Sequence, residues 1–99
     1  MSETTNYFWT KKQADGTTRV GLNDTGIDDL GKINFADVPA VNTKLTESGP
    51  FISVEAEKAV SDLPSPVAGT ISLVNPALSA GPEALNSGDS ADRWLVDVK

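Results

Sequence analysis

A chain of 99 residues has room for one small domain with a thin core, so an active-site cleft between two lobes is not expected. With 38% hydrophobic and 22% charged residues, six prolines and eight glycines, the composition is that of a folded domain rich in short strands and turns rather than of a disordered tail. A net charge of -6 argues against nucleic acid or an anionic membrane as partner. The lack of cysteine removes disulfides and thiolate chemistry, and the lack of histidine removes the usual base near neutral pH and the commonest zinc ligand.

The N-terminal "MSETTNYFW" has neither a basic start nor an apolar run, and no apolar stretch approaches 20 residues, so no signal peptide or membrane span is expected and a cytoplasmic setting is the default. Tyr7 to Thr10, the Asp15-Gly16 turn signal and Thr17 to Leu22 predict a hairpin. Asn23 or Asp24 is placed to cap a helix of barely two turns carrying Ile27 and Leu30 on one side, with Gly31 as a left-handed C-terminal cap. Lys32 to Val38 alternates as a half-buried strand that Pro39 ends. The oxygen-rich run Asn23 to Asp29 lacks calcium-loop spacing and reads as the helix cap with an acidic first turn.

A loose internal echo follows. In each half an apolar strand reaches a Pro-Ala pair, Pro39-Ala40 and Pro76-Ala77. Each then leads through a polar, glycine-containing segment into a second apolar strand, Phe51 to Val54 and Trp94 to Val98. Two such halves facing each other would share a core that neither could bury alone. Ser87 to Asp92 reads as a solvated loop, and Ser61-Asp62 as a turn-stabilising pair rather than a nucleophile with its base.

Between the apolar runs 51–54 and 67–74 lies Val54-Glu55-Ala56-Glu57-Lys58-Ala59-Val60-Ser61-Asp62-Leu63, which supports two readings. Ala56, Ala59, Val60 and Leu63 fall on one face of a helix. A crossover helix between parallel strands would be shorter than such connections normally are, however, and Ile52, Val54 and Ala56 alternate. An antiparallel return, turning at Glu57-Lys58 and coming back through Val60 toward Pro64, exposes Lys58 at its tip.

The segment from Val54 to Ile71, with its Lys-Ala-x-Ser-Asp-Leu-x-x-Pro core, resembles the lipoyl-lysine segment of the glycine cleavage system H protein family. The similarity extends upstream through Val20 to Leu22 and Leu30 to Pro39, and downstream through Val74 to Leu78, Pro82 to Asn86 and Trp94-Leu95. What the resemblance implies is a mainly β barrel-sandwich hybrid, lipoyl-domain-like, with two small sheets in pseudo-two-fold symmetry and one short helix. It implies one lipoyl-carrier domain over residues 1–99, with lipoate in amide linkage to Lys58. Glu55, Glu57 and Asp62 are the residues placed to recognise a ligase or another partner. Implied partners are a lipoate-protein ligase or lipoyl transferase, dihydrolipoamide dehydrogenase and the glycine cleavage decarboxylase and aminomethyltransferase.

The chain departs from the family pattern at Ala56-Glu57, where Ser and Val are usual, at Asp89 to Trp94, which replaces a Pro-Tyr-Gly-x-Gly-Trp loop, and at Asn6 to Trp9, which lacks His-Glu-Trp. It also stops at Lys99, where members add a helical segment. These departures resemble a short H-like form, associated in some bacteria with a dedicated ligase, an ADP-ribosylating sirtuin and a macrodomain hydrolase in a redox response. Biotin carriers are set aside because Glu57 and Ala59, not methionines, flank the lysine. An all-helical acyl carrier, with Ser90 as its candidate serine, is set aside by the strand patterning. The expectation is a non-catalytic carrier without metal. The reading from a different class is a cofactor-free acidic docking module, and Tyr7, Phe8 and Trp9 offer either core or a docking patch.

Overall fold

The computed structural model describes residues 7–99. Residues 1–6, which include Asn6 and the first part of the N-terminal MSETTNYFW, lie outside the described residues. Eight strands and one α-helix follow in chain order: β1 (Phe8–Lys12), β2 (Thr18–Leu22), α1 (Asp24–Leu30), β3 (Ile33–Asp37), β4 (Lys44–Leu45), β5 (Pro50–Ala56), β6 (Val60–Pro64), β7 (Gly69–Val74) and β8 (Trp94–Val98). They form an antiparallel five-stranded sheet in the order β1-β2-β8-β7-β4 and an antiparallel three-stranded sheet in the order β3-β5-β6. This is the two-sheet, mainly β architecture with one short helix that the resemblance implies. Three 3₁₀ turns, Pro76–Ala80, Glu83–Asn86 and Ser90–Arg93, add to it.

The β1-β2 hairpin turns where Asp-Gly predicts: Gly16 has φ 90°, and Asp15 Oδ1 accepts from both the Thr17 hydroxyl and its backbone N–H. Those bonds hold the Asp15 carboxyl below its usual range. Asn23, rather than Asp24, caps α1, its Oδ1 accepting from Gly26 N–H at 2.8 Å. Gly31 has the positive φ of the expected cap (77°), but its ψ of -161° is extended. The chain therefore leaves the helix directly into β3 instead of closing a left-handed turn.

The internal echo is realised as strand pairing: β3, before Pro39-Ala40, pairs with β5, and β7, before Pro76-Ala77, pairs with β8. Side chains alternating inward from both sheets meet in one core that includes Val20, Leu22, Ile33, Ile52, Val54, Leu63, Ile71, Leu95 and Val96. At the edge of β3, the Asn86 side chain accepts from Ile33 N–H at 2.7 Å and donates to Ile33 C=O at 2.9 Å, taking the place of a neighbouring strand.

One local expectation changes. Ser87 to Asp92 is not simply a solvated loop. Ser87 Oγ donates to Asp92, Asp89 caps Ala91, and the chain enters a 3₁₀ turn that ends in Arg93, 2% exposed. The guanidinium donates to Leu22 C=O, to Ser87 C=O and to the exposed Asp24 carboxylate, so a buried charge is satisfied from three directions. Of the aromatic trio, Phe8 is core and tilts against Phe51, while half-buried Trp9 lies over Gly21 and donates to Ser90 C=O.

Candidate functional site

The antiparallel reading of residues 54–63 holds. β5 runs to Ala56, Glu57 and Lys58 form the turn, and β6 begins at Val60. Ala56 N–H donates to Ala59 C=O across the turn at 2.8 Å, and the helical stripe is a coincidence of a short window. The turn is anchored from outside the hairpin. Glu57 N–H donates to Lys32 C=O at 2.8 Å, and Lys58 N–H donates to Leu30 C=O at 2.9 Å. The tip thus supplies donors to carbonyls at and just beyond the end of α1, groups that a helix terminus leaves without internal partners.

Lys58 is exposed, and its Nζ donates to Asp28 C=O at 2.8 Å. A cation at the carboxyl end of a helix is favourably placed, more so here because Asp28 and Asp29 are acidic where a basic last turn would suit the dipole. Gly31 makes the approach possible. A Cβ there would lie 3.2 Å from both Glu57 Cβ and Lys58 Cγ. Nearby, the Tyr7 hydroxyl donates to Asp29 Oδ2 at 2.9 Å, a bond that raises the phenol above its ordinary value.

The acidic residues singled out from the sequence are placed differently from one another. Glu57 sits in the turn, while Glu55 on β5 and Asp62 on β6 are exposed on the outer face of the three-stranded sheet. Asp62 does not stabilise a turn with Ser61. It lies within β6 and accepts from Ser53 Oγ across the strands at 2.7 Å. Asp28 and Gly31 escaped sequence reasoning as supports of the lysine, because the contact between Asp28 and Lys58 spans thirty positions of sequence. A glycine after a short helix was legible, but its closeness to the lysine was not.

An exposed primary amine at the tip of a hydrogen-bonded turn is a group that another protein can reach and acylate. The family described as Glycine cleavage H-protein matches residues 1–99. The chain belongs to that family. The glycine cleavage system H protein of Mycobacterium avium is 38% identical over 96 residues, covering 97% of this chain and 73% of the relative. That of Mycobacterium leprae is 39% identical over 95 residues, covering 96% and 72%. The crystal structure of a glycine cleavage system H protein from Mycobacterium marinum superposes with a TM-score of 0.81 at 30% identity, covering 96% of this chain and 79% of that one. Glycine cleavage H proteins are lipoyl carriers and not catalysts, and the two-sheet fold is their barrel-sandwich hybrid. Among the described residues no helix is long and apolar enough to cross a membrane.

Proposed function

We propose that residues 1–99 form one lipoyl-carrier domain, that Lys58 is its acylated residue, and that the arm serves partner enzymes in the cytoplasm. The observation that carries this reading is the exposed Lys58 amine on a turn whose backbone is tied to Leu30 and Lys32. The residues fit the group: amide formation needs a reachable primary amine on a base that does not yield, and both are present. To react, the ammonium must leave the Asp28 carbonyl and lose a proton. Nζ then forms the amide bond to the activated acyl carbon, giving up a second proton as the activating group departs. When bound, lipoate supplies a dithiolane whose redox and carrier chemistry the partner enzymes use. The protein's contribution is to hold the attachment point still.

The partners in this reading are a lipoate-protein ligase or lipoyl transferase, dihydrolipoamide dehydrogenase and the glycine cleavage enzymes. The substitutions at Ala56-Glu57 and Asp89–Trp94 support a narrower version, in which a dedicated ligase, an ADP-ribosylating sirtuin and a macrodomain hydrolase act on the carrier in a redox response. Intact mass after incubation with lipoate, ATP and a lipoate-protein ligase tests the carrier. One lipoyl adduct is expected on the parent and none on Lys58→Ala. No adduct with an active cognate ligase would leave the acidic docking module as the reading. Efficient glycine cleavage with this chain as the sole H component would overturn the narrower version.

A further inference from the structure

The outer face of the β3-β5-β6 sheet sets exposed apolar side chains among carboxylates. Strand register places Phe35, Glu55 and Val60 in one row across the three strands, and Asp37, Ser53 and Asp62 in the next. Residues opposite one another in antiparallel strands project to the same side, so these six share one face. The alternate positions Ile52, Val54 and Leu63 point into the core. The fold therefore leaves apolar surface of both Phe35 and Val60 to solvent: Phe35 is 55% exposed and Val60 80%. Between and beside these apolar groups stand three carboxylates, with no basic side chain in either row. Among the described residues, neither Glu55 nor Asp37 has an ion-pair partner. Beyond Ser53 and Asp62 the surface dips into a hollow of about 350 Å³, lined also by Pro50 and Pro64.

We propose that this face is the docking surface of the enzyme that acylates Lys58, which seats on it a basic surface carrying an apolar contact. The proposal rests on Lys58 being the acylated residue. The partner's chemistry follows from complementarity: unpaired carboxylates flanked by apolar side chains match arginine or lysine beside an apolar anchor. Its identity follows from reach. The acylating enzyme must bring its reacting carbon to Nζ itself, so it has to cover the ground next to the hairpin tip, where Glu55 and Val60 form the last pair between β5 and β6. Enzymes acting later meet the far end of an extended arm and have no such obligation.

The test measures rates of adduct formation with the full chain, lipoate, ATP and a ligase, at carrier concentrations below and above KM. The double variant Phe35→Ser/Val60→Ser is expected to lose about tenfold in kcat/KM through KM, with kcat kept. Glu55→Gln/Asp37→Asn is expected to raise KM and to flatten its dependence on salt. Val41→Ser, which removes an exposed apolar residue elsewhere, should match the parent. Val60→Thr, which exchanges one methyl for a hydroxyl at a position 80% exposed, should show a part of the same loss and serves as the test where the double variant folds poorly. Parent-like kcat/KM in the face variants would overturn the docking proposal while the carrier stood. So would a loss confined to kcat, or a loss that appears only with dihydrolipoamide dehydrogenase on pre-acylated protein. No adduct on the parent would remove the carrier reading, and this inference with it.

Discussion

The two sheets of this small protein use polar groups in opposite ways. In the five-stranded sheet, Asp97 is buried and takes both Arg19 Nε (2.8 Å) and Nη2 (3.0 Å), while the Arg19 guanidinium lies 3.8 Å over the Trp94 ring. Arg93 beside it is wholly enclosed and bonded to carbonyls at Leu22 and Ser87. The charges of Arg19, Asp97 and Arg93 are consumed by the protein itself. On the outer face of the three-stranded sheet, Glu55, Asp37, Phe35 and Val60 are left to solvent, and the hairpin carries Lys58 at its tip. The difference teaches where stability resides and where function does. A buried guanidinium is costly to disturb, whereas an exposed lysine or carboxylate contributes little to folding and is free to meet a partner.

The sharpest way to break this division is at the two cations. Lys58→Ala should abolish the lipoyl adduct completely while leaving stability within about 0.5 kcal/mol of the parent, read by mass spectrometry and urea denaturation. Arg93→Met should do the reverse. It strands the carbonyls of Leu22 and Ser87 in the interior and should cost about 3 kcal/mol by urea midpoint, yet Lys58 should still be acylated at low temperature where the variant is folded. A Lys58→Ala protein that unfolds, or an Arg93→Met protein that is folded but refused by the ligase, would break the comparison.

Gly31→Ala probes the seam between the regions. Its Cβ would press on Glu57 and Lys58 at a φ of 77°, so a loss of about 1–2 kcal/mol and slower acylation are expected together. Smallest is the pH effect at Asp15. Its carboxyl is held below the usual range by Thr17, so its contribution to stability is present above the ordinary carboxylate value and is lost as pH falls through the lowered one. The stability gap between the parent and Asp15→Ala should therefore close in acid and reopen at neutral pH. Acylation measured at neutral pH should be the same for both.

Much of the fold was determined locally, and so was legible. An Asp-Gly pair between two strand-like runs favours a tight turn with the glycine at positive φ, an Asn before a short apolar-faced segment caps it, and alternation at Ile52, Val54 and Ala56 marks a strand regardless of what it pairs with. The lysine of the candidate site was legible only in part: local pattern left a helix and an antiparallel return both open, and it was the resemblance of residues 54–71 to a lipoyl-lysine segment that singled out Lys58. Tertiary structure alone decided the rest. The seating of Lys58 on Asp28, the room left by Gly31, the pairing of Asn86 with Ile33 and the enclosure of Arg93 all join residues far apart in sequence. The rows that bring Phe35, Glu55 and Val60 together depend on strand register, which is set by the shared burial of the inner faces of both sheets rather than by any one segment.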